Sequence, residues 1–194
     1  MTRQEIIDFF DRLAPEWDSN LVHDDIKINA IFDYAGITKG VSVLDAACGT
    51  GVLIPDYLGR DVKKVTAVDI SPKMIEIARK KISDPRVEFI IDNVETADIP
   101  EVFDRCVLYN AFPHFPNPRS LVCSLAGRLV RGGRLTVAHG LSREKINAHH
   151  NGRAGRVSMG LISENDLSRL FGEFFIVDVA LSSDAMYVVS GIRK

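Results

Sequence analysis

Four polar residues stand where a ligand-binding crevice is expected: Asp45, Asp69, Asp92 and Asn110, each at the carboxyl end of a short apolar run. Ligands of open α/β sheets bind at such ends, near the point where strand order reverses. The first three are 24 and 23 residues apart, one strand–helix unit each, so their carboxylates can line one crevice. Gly49 and Gly51 let the backbone pass close to a ligand with no Cβ in the way. Asp69 is placed to accept hydrogen bonds from both hydroxyls of a ribose. Taken singly, any one of these aspartates reads equally well as a loop start or a helix cap. A pyrophosphate is disfavoured, because residues 43–52 read VLDAACGTGV and lack the third glycine of G-x-G-x-x-G. The acid at Asp45 would also repel phosphate, which disfavours a nicotinamide-dependent oxidoreductase. An acid beside the loop suits a cation.

Such residues need a scaffold that sets several strand ends side by side. The runs at 41–46, 65–69, 87–91 and 103–109 are short and unalternating, as in strands buried on both faces of a parallel sheet. Helical spacing lies between them. It covers 52–58, then a helix capped by Ser71-Pro72 with Met74, Ile75, Ala78 and Ile82 on one face. A third helix, capped by Asn117-Pro118, carries Leu121, Leu125 and Leu129, and Gly132-Gly133 turns into a fifth strand at 134–139. Ser163 opens a helix through Phe171, and runs at 175–181 and 186–192 flank a turn at 182–184. The pattern predicts an α/β fold: a Rossmann-like, doubly wound, mostly parallel seven-stranded sheet ending in an antiparallel hairpin. The hairpin leaves an edge strand that either pairs in a homodimer or is covered or blunted.

Residues 1–35 read as a helical cap segment. Thr2 and Glu5 have capping-box spacing, Ile6, Phe9, Phe10 and Leu13 share one face, and Pro15 ends or bends the helix. A second helix begins near Asp24 or Asp25, buries Ile28, Ile31, Phe32 and Ala35, and stops at Gly36. Residues 36–194 form the core of a single domain. With 46% hydrophobic residues the chain can build that core, which excludes low-complexity disorder. A formal charge of −2, from 24 basic against 26 acidic residues, disfavours a nucleic-acid partner. Three cysteines (Cys48, Cys106, Cys123) without C-x-x-C spacing fit a reducing compartment. The polar N-terminus and the lack of a long apolar run predict a cytoplasmic protein with no membrane partner.

The stretch LDAACGTG (44–51) resembles the first motif of class I S-adenosylmethionine-dependent methyltransferases, approximately D/E-x-G-x-G-x-G, with Ala47 in the first glycine position. S-adenosylmethionine carries a sulfonium and an ammonium and no phosphate, consistent with an acid at Asp45. AVDIS (67–71) resembles the second motif, which implies Asp69 as ribose ligand and Ile70 as adenine-packing residue. IIDNVET (90–96) is similar to the third, which implies that Asp92 or Asn93 reads the adenine amino group beside Val94. FDRCVLYNAFPHF (103–115) corresponds to the fourth, bringing Asn110 and Ala111 to the methionine moiety. LVRGGRLTVAH (129–139) resembles the glycine turn and fifth strand. FFDRLAPEWD (9–18) is like the N-terminal segment of the ubiquinone/menaquinone-type members. The resemblance implies S-adenosylmethionine as cofactor, S-adenosylhomocysteine as product, and in-line methyl transfer; nothing in it specifies the acceptor.

A neutral hydroxyl or amine acceptor needs a base, and histidine suits that task at neutral pH. His114, within NAFPHF, is either that base or a residue that orients the loop; His139, at the end of the fifth strand, faces the same rim. Residues 140–159 form a loop holding His149, His150 and Arg153, with four bases against one acid and a local charge of +3. It is either a lid that attracts an anionic acceptor or a solvated basic loop. Trp17 covers the methionine end or fills the core, and Tyr109 is open to the same two readings. His139, His149 and His150 match no compact metal-ligand spacing, so no metal is expected. Asn110-Ala111-Phe112-Pro113 stands where many enzymes that methylate amino groups of nucleic acids and proteins carry N/D-P-P-Y/F. With no separate recognition domain, a small-molecule acceptor is the leading reading. The alternative is an S-adenosylmethionine-binding accessory or sensor module without turnover.

Overall fold

A computed structural model describes residues 2–150 and 157–194, without the side chains of Asn20, His149 and His150. Seven strands form one sheet: β1 (Ser42–Ala46), β2 (Lys64–Asp69), β3 (Val87–Ile91), β4 (Phe103–Tyr109), β5 (Leu129–His139), β6 (Phe175–Ser182) and β7 (Tyr187–Arg193). Their order is β3-β2-β1-β4-β5-β7-β6. The first five run parallel, while β7 pairs antiparallel with both β5 and β6. Strand order reverses between β1 and β4, the place where a crevice opens at the strand ends.

The apolar runs explain why these strands lie inside. Val43, Leu44, Val65, Val68, Val107 and Leu108 are all fully buried. One face of the sheet packs on Leu121, Leu125, Leu167 and Phe171, the other on Ile28, Phe32, Ile54, Tyr57 and Ile75. The helices that supply them are α2 (Asp25–Ala35), α3 (Ile54–Gly59), α4 (Pro72–Lys81), α5 (Pro118–Gly127) and α7 (Glu164–Phe171). Asp24, Ser71, Asn117 and Ser163 cap four of them through side-chain oxygens, as their residue types predict.

Four expectations need correction. α1 (Arg3–Trp17) keeps its Thr2–Glu5 capping box but runs two residues past Pro15, since a proline so near the helix end removes only one late hydrogen bond. α3 begins at Ile54 because tight turns through Cys48, Gly51 and Leu53 take up the residues before it. Leu129 belongs to β5: the strand pairs Leu129 with Phe103 and shifts register before Arg134 pairs with Arg105. Part of the segment read as a 140–159 loop is a helix, α6 (Arg143–His150). Among the described residues no helix is long and apolar enough to cross a membrane.

Candidate functional site

A cavity of about 250 Å³ opens at the carboxyl ends of β1, β2 and β4 and is roofed by α1. That volume is close to the lower end of pockets for small organic ligands, roughly 300–1,000 Å³. Asp45, Ala47, Gly49, Asp69, Ile70, Asp92, Asn93, Val94, Tyr109, Asn110, His114 and Trp17 all line it.

The two deepest acids differ in how they are held. Asp69 is 8% exposed; its Oδ2 accepts from the Gly49 amide at 2.8 Å and its Oδ1 from the Ser71 amide at 2.9 Å. Burial pushes its carboxyl up to about 6, the Ser71 and Gly49 amides oppose that, and the Asp11 carboxylate adds to it. Asp45 is 2% exposed, and its Oδ2 has no hydrogen-bond partner among the described residues. Burial and then the neighbouring Asp69 carboxylate push it up to about 7, against the Tyr57 hydroxyl. Asp45 lines the cavity, and a buried carboxylate with one oxygen lacking a donor is suited to a cation. The ammonium or sulfonium of S-adenosylmethionine fits that place; a phosphate would not.

The loop between β1 and α3 separates its glycines into two tasks. Gly49, with φ +56°, lines the cavity, and a Cβ there would come 3.9 Å from Trp17 Nε1. Gly51, with φ +78°, does not line it: a Cβ would meet Ile82 Cδ1 at 2.9 Å and Ile54 Cδ1 at 3.1 Å. Its lack of a side chain serves helix packing, not ligand approach. Ala47, in the first glycine position, also adopts a left-handed φ of +57°, a conformation that disfavours a Cβ. The Cys48 thiol is buried, which raises it well above its ordinary range, with Asp69 and Asp45 adding to the effect, so it stays protonated.

Asp92 Oδ1 accepts from the Asn93 amide at 2.7 Å and from Arg3 Nη2 at 2.9 Å, joining α1 to the β3 end. Asn93 Oδ1 accepts from the Glu95 amide at 2.9 Å. Two further polar ties hold the roof. Asp11 accepts from the Ser71 hydroxyl and the Lys73 amide, and Asp18 pairs with Lys81 and accepts from Thr50.

At the other end of the cavity, Asn110 also has a left-handed φ, +54°, common for asparagine. Its amide donates to the Ala138 carbonyl at 2.9 Å, and its Oδ1 accepts from the Gly140 amide at 3.0 Å. The chain then makes a short 3₁₀ turn, Phe112–His114, with Phe112 and Pro113 buried. His114 Nδ1 lies 2.7 Å from the Val157 carbonyl. A carbonyl only accepts, so Nδ1 carries the proton and the neutral ring has its lone pair on Nε2. Phe10 meets the His114 ring edge-on at 4.9 Å and the Trp17 ring at 5.9 Å. Trp17 thus stands on the cavity wall.

His139 is not on this rim. It is 2% exposed, lies outside the cavity lining, and meets Tyr187 edge-on at 6.0 Å. The antiparallel β7 pairs with β5 as far as His139↔Tyr187, which encloses that last residue in the sheet. Arg153 lies outside the described residues, as do the side chains of His149 and His150; their backbone ends α6. Among the described residues, the histidine cluster with metal-ligand spacing is His23 with Asp25 and Asp56, both at 3.3 Å, on the surface outside the cavity lining. Arg3, Ile6, Phe10, Leu21, Met74, Glu95 and Phe115 are among the remaining lining residues and were not expected as site residues. Phe10 had a signal, its place on the apolar face of α1; Arg3 had none, because only the fold brings it to Asp92.

Comparison with known proteins agrees with this architecture. The family profile described as "Methyltransferase domain" matches residues 43–133. The mitochondrial ubiquinone biosynthesis O-methyltransferase of Schizosaccharomyces pombe is 32% identical over 147 residues, covering 68% of this chain and 53% of that protein. The demethylmenaquinone methyltransferase of Tropheryma whipplei is 33% identical over 141 residues, covering 69% and 58%. The chain spans little more than half the length of these curated relatives. Magnesium protoporphyrin IX methyltransferase from Synechocystis PCC 6803, solved with bound S-adenosylhomocysteine, superposes with a TM-score of 0.74 at 16% identity over the whole of both chains. At that identity the likeness speaks for the fold.

Proposed function

Because this chain belongs to the class I S-adenosylmethionine-dependent methyltransferases, we propose that it methylates a small aromatic hydroxyl of the quinol or catechol type. The observation that carries this reading is a single apolar cavity with two buried carboxylates at one end and a histidine of defined tautomer at the other. S-adenosylmethionine, when bound, supplies a methyl group on a sulfonium, open to in-line attack by a nucleophile.

The chain's own residues do the rest. Asp45 holds the cationic methionine end, and Asp69 accepts from the ribose hydroxyls on oxygens already oriented by Gly49 and Ser71. Ile70 and Val94 pack on the adenine, and Asp92 or Asn93 accepts from its amino group. Trp17 and Phe10, on α1, exclude water above the reacting centre. Tyr109 and Asn110 set the floor beside it. His114, through Nε2, takes the proton from the acceptor hydroxyl as the oxygen becomes a nucleophile. A flat acceptor is favoured by the Phe10, Trp17, His114 and Phe115 rings around that end of the cavity. An oxygen acceptor is supported by the O-methyltransferase relatives, whose own substrates belong to quinone synthesis by name.

The test is transfer of labelled methyl from S-adenosylmethionine to a panel of catechols and hydroquinones. Expected is an aryl methyl ether, with His114→Asn slowing turnover about 10²–10⁴-fold while S-adenosylhomocysteine affinity is kept. Tight binding of S-adenosylhomocysteine with no turnover across the panel would overturn the proposal in favour of a binding module.

A further inference from the structure

Behind His114 lies the set of contacts that places the partner of its Nδ1. Val157 O accepts from His114 Nδ1 at 2.7 Å, and the Met159 amide donates to the Pro113 carbonyl at 2.8 Å. Residues 157–159 therefore grip the 112–114 turn at two points. They are fixed in turn by α6. The Asn147 side chain faces Leu161 as one strand faces another: Oδ1 accepts from the Leu161 amide at 2.6 Å and Nδ2 donates to the Leu161 carbonyl at 3.1 Å. That carbonyl also accepts from Arg143 Nε at 3.1 Å. Val157, Leu161 and Ile146 are buried, so both ends of this return segment are anchored against the fold, while Met159 between them is exposed. The side-chain amide of asparagine or glutamine offers a donor and an acceptor side by side, matching a backbone N–H and C=O, and asparagine is the shorter, more rigid choice.

We propose that Asn147 is a positioning residue for His114. By pinning Leu161 it holds the Val157 carbonyl on Nδ1, which keeps the neutral imidazole in the tautomer with its lone pair on Nε2. Which nitrogen of a histidine is basic is set by the hydrogen bond that the other makes. Without the pin the carbonyl withdraws, the Nε2–H tautomer gains population, and the lone pair turns away from the cavity. This inference rests on His114 acting as the base. A purely structural Asn147, one that only docks α6, would leave the tautomer alone.

The experiment is long-range ¹H–¹⁵N NMR of the histidine side chains in the whole protein, with His114 assigned by the signals lost in His114→Asn. Wild type is expected to show a protonated Nδ1 above the titration range. Asn147→Ala is expected to shift His114 to the Nε2–H form, and to lower turnover of a catechol probe with S-adenosylhomocysteine affinity kept. Asn147→Asp keeps the acceptor and loses the donor, so it falls between; it decides alone if the alanine variant does not fold. The wild-type tautomer in every variant that still binds S-adenosylhomocysteine would overturn the proposal. Full catechol turnover by His114→Asn would instead refute the base, and the tautomer result would still decide the link to Asn147.

Discussion

The two ends of the cavity are built on different plans. At the cofactor end, the polar groups sit on consecutive strand ends and are tied by backbone amides a few residues away or one strand across, as Asp69 is by Gly49 and Ser71. At the acceptor end, the groups come from α1, the turn after β4 and the segment after α6, joined by contacts 43 residues apart such as His114 with Val157. The first end is fixed by the sheet. The second depends on segments far apart in sequence that only the folded chain brings together. A site of this kind can keep one ligand while changing the other, because substitutions in α1 or after α6 leave the strand ends in place.

The sharpest break between the two plans is within one loop. Gly51→Ala adds a Cβ against Ile82 and Ile54 in a left-handed conformation, and is expected to lower stability by about 2–3 kcal/mol. Gly49→Ala meets nothing closer than 3.9 Å, so about 1 kcal/mol of backbone strain is expected, with the main loss in cofactor affinity. Urea unfolding and calorimetry of the two variants separate these effects. Equal losses of stability would mean that the two glycines share one task.

A second contrast lies in pH. Asp45 and Asp69 hold their protons more tightly folded than unfolded, with folded values of about 7 and about 6. Their contribution to stability is therefore fully present below the ordinary aspartate range and is lost as pH rises through about 6 and then about 7. Carboxyls held low, such as Asp84 at about 2, act only in far more acid solution. The ligand-free protein should lose thermal stability from about pH 4 to about pH 7. A cationic ligand favours the ionised carboxylates, so the rise in Tm given by S-adenosylmethionine should grow as pH rises through about 6 and about 7. Scanning calorimetry with and without the ligand checks both slopes.

Much of the cofactor end was legible in the sequence. The aspartate spacing, the glycine loop and the motifs around them are local consequences of strand–turn–helix units, and Asp45, Ala47, Gly49, Asp69, Ile70, Asp92, Asn93, Val94 and Asn110 all line the cavity. Gly51 was misread because its neighbours, Ile54 and Ile82, come from the start of α3 and the residue that ends α4, which only the fold brings together. His139 was misplaced because a strand end looks like a rim until an antiparallel partner pairs with it, and the β7–β5 pairing is a long-range event. α6 stayed hidden because its one buried residue among the described side chains, Ile146, gives no helical period. Arg3 shows the same limit: the residue is an ordinary first-turn arginine until α1 folds over β3.

Smaller effects refine the comparison. Arg3→Ala removes a half-exposed ion pair at the roof and should weaken S-adenosylhomocysteine binding by no more than about fivefold. A larger loss would make α1 a principal part of the cofactor site. Ala47→Gly relieves left-handed strain of roughly 1–2 kcal/mol and adds unfolded-state freedom of about 0.5–1 kcal/mol, so the net change in stability should be below about 1 kcal/mol.

The central claim is that a nucleoside cofactor is held by the strand-end carboxylates. Calorimetric titration of S-adenosylhomocysteine into wild type and Asp69→Asn tests it most directly. The account predicts one saturable site in wild type and a loss of about a hundredfold in affinity in the variant, since a buried charged acceptor is worth roughly 1.5–3 kcal/mol per hydrogen bond. Equal affinity in the two proteins, with the variant folded, would contradict it.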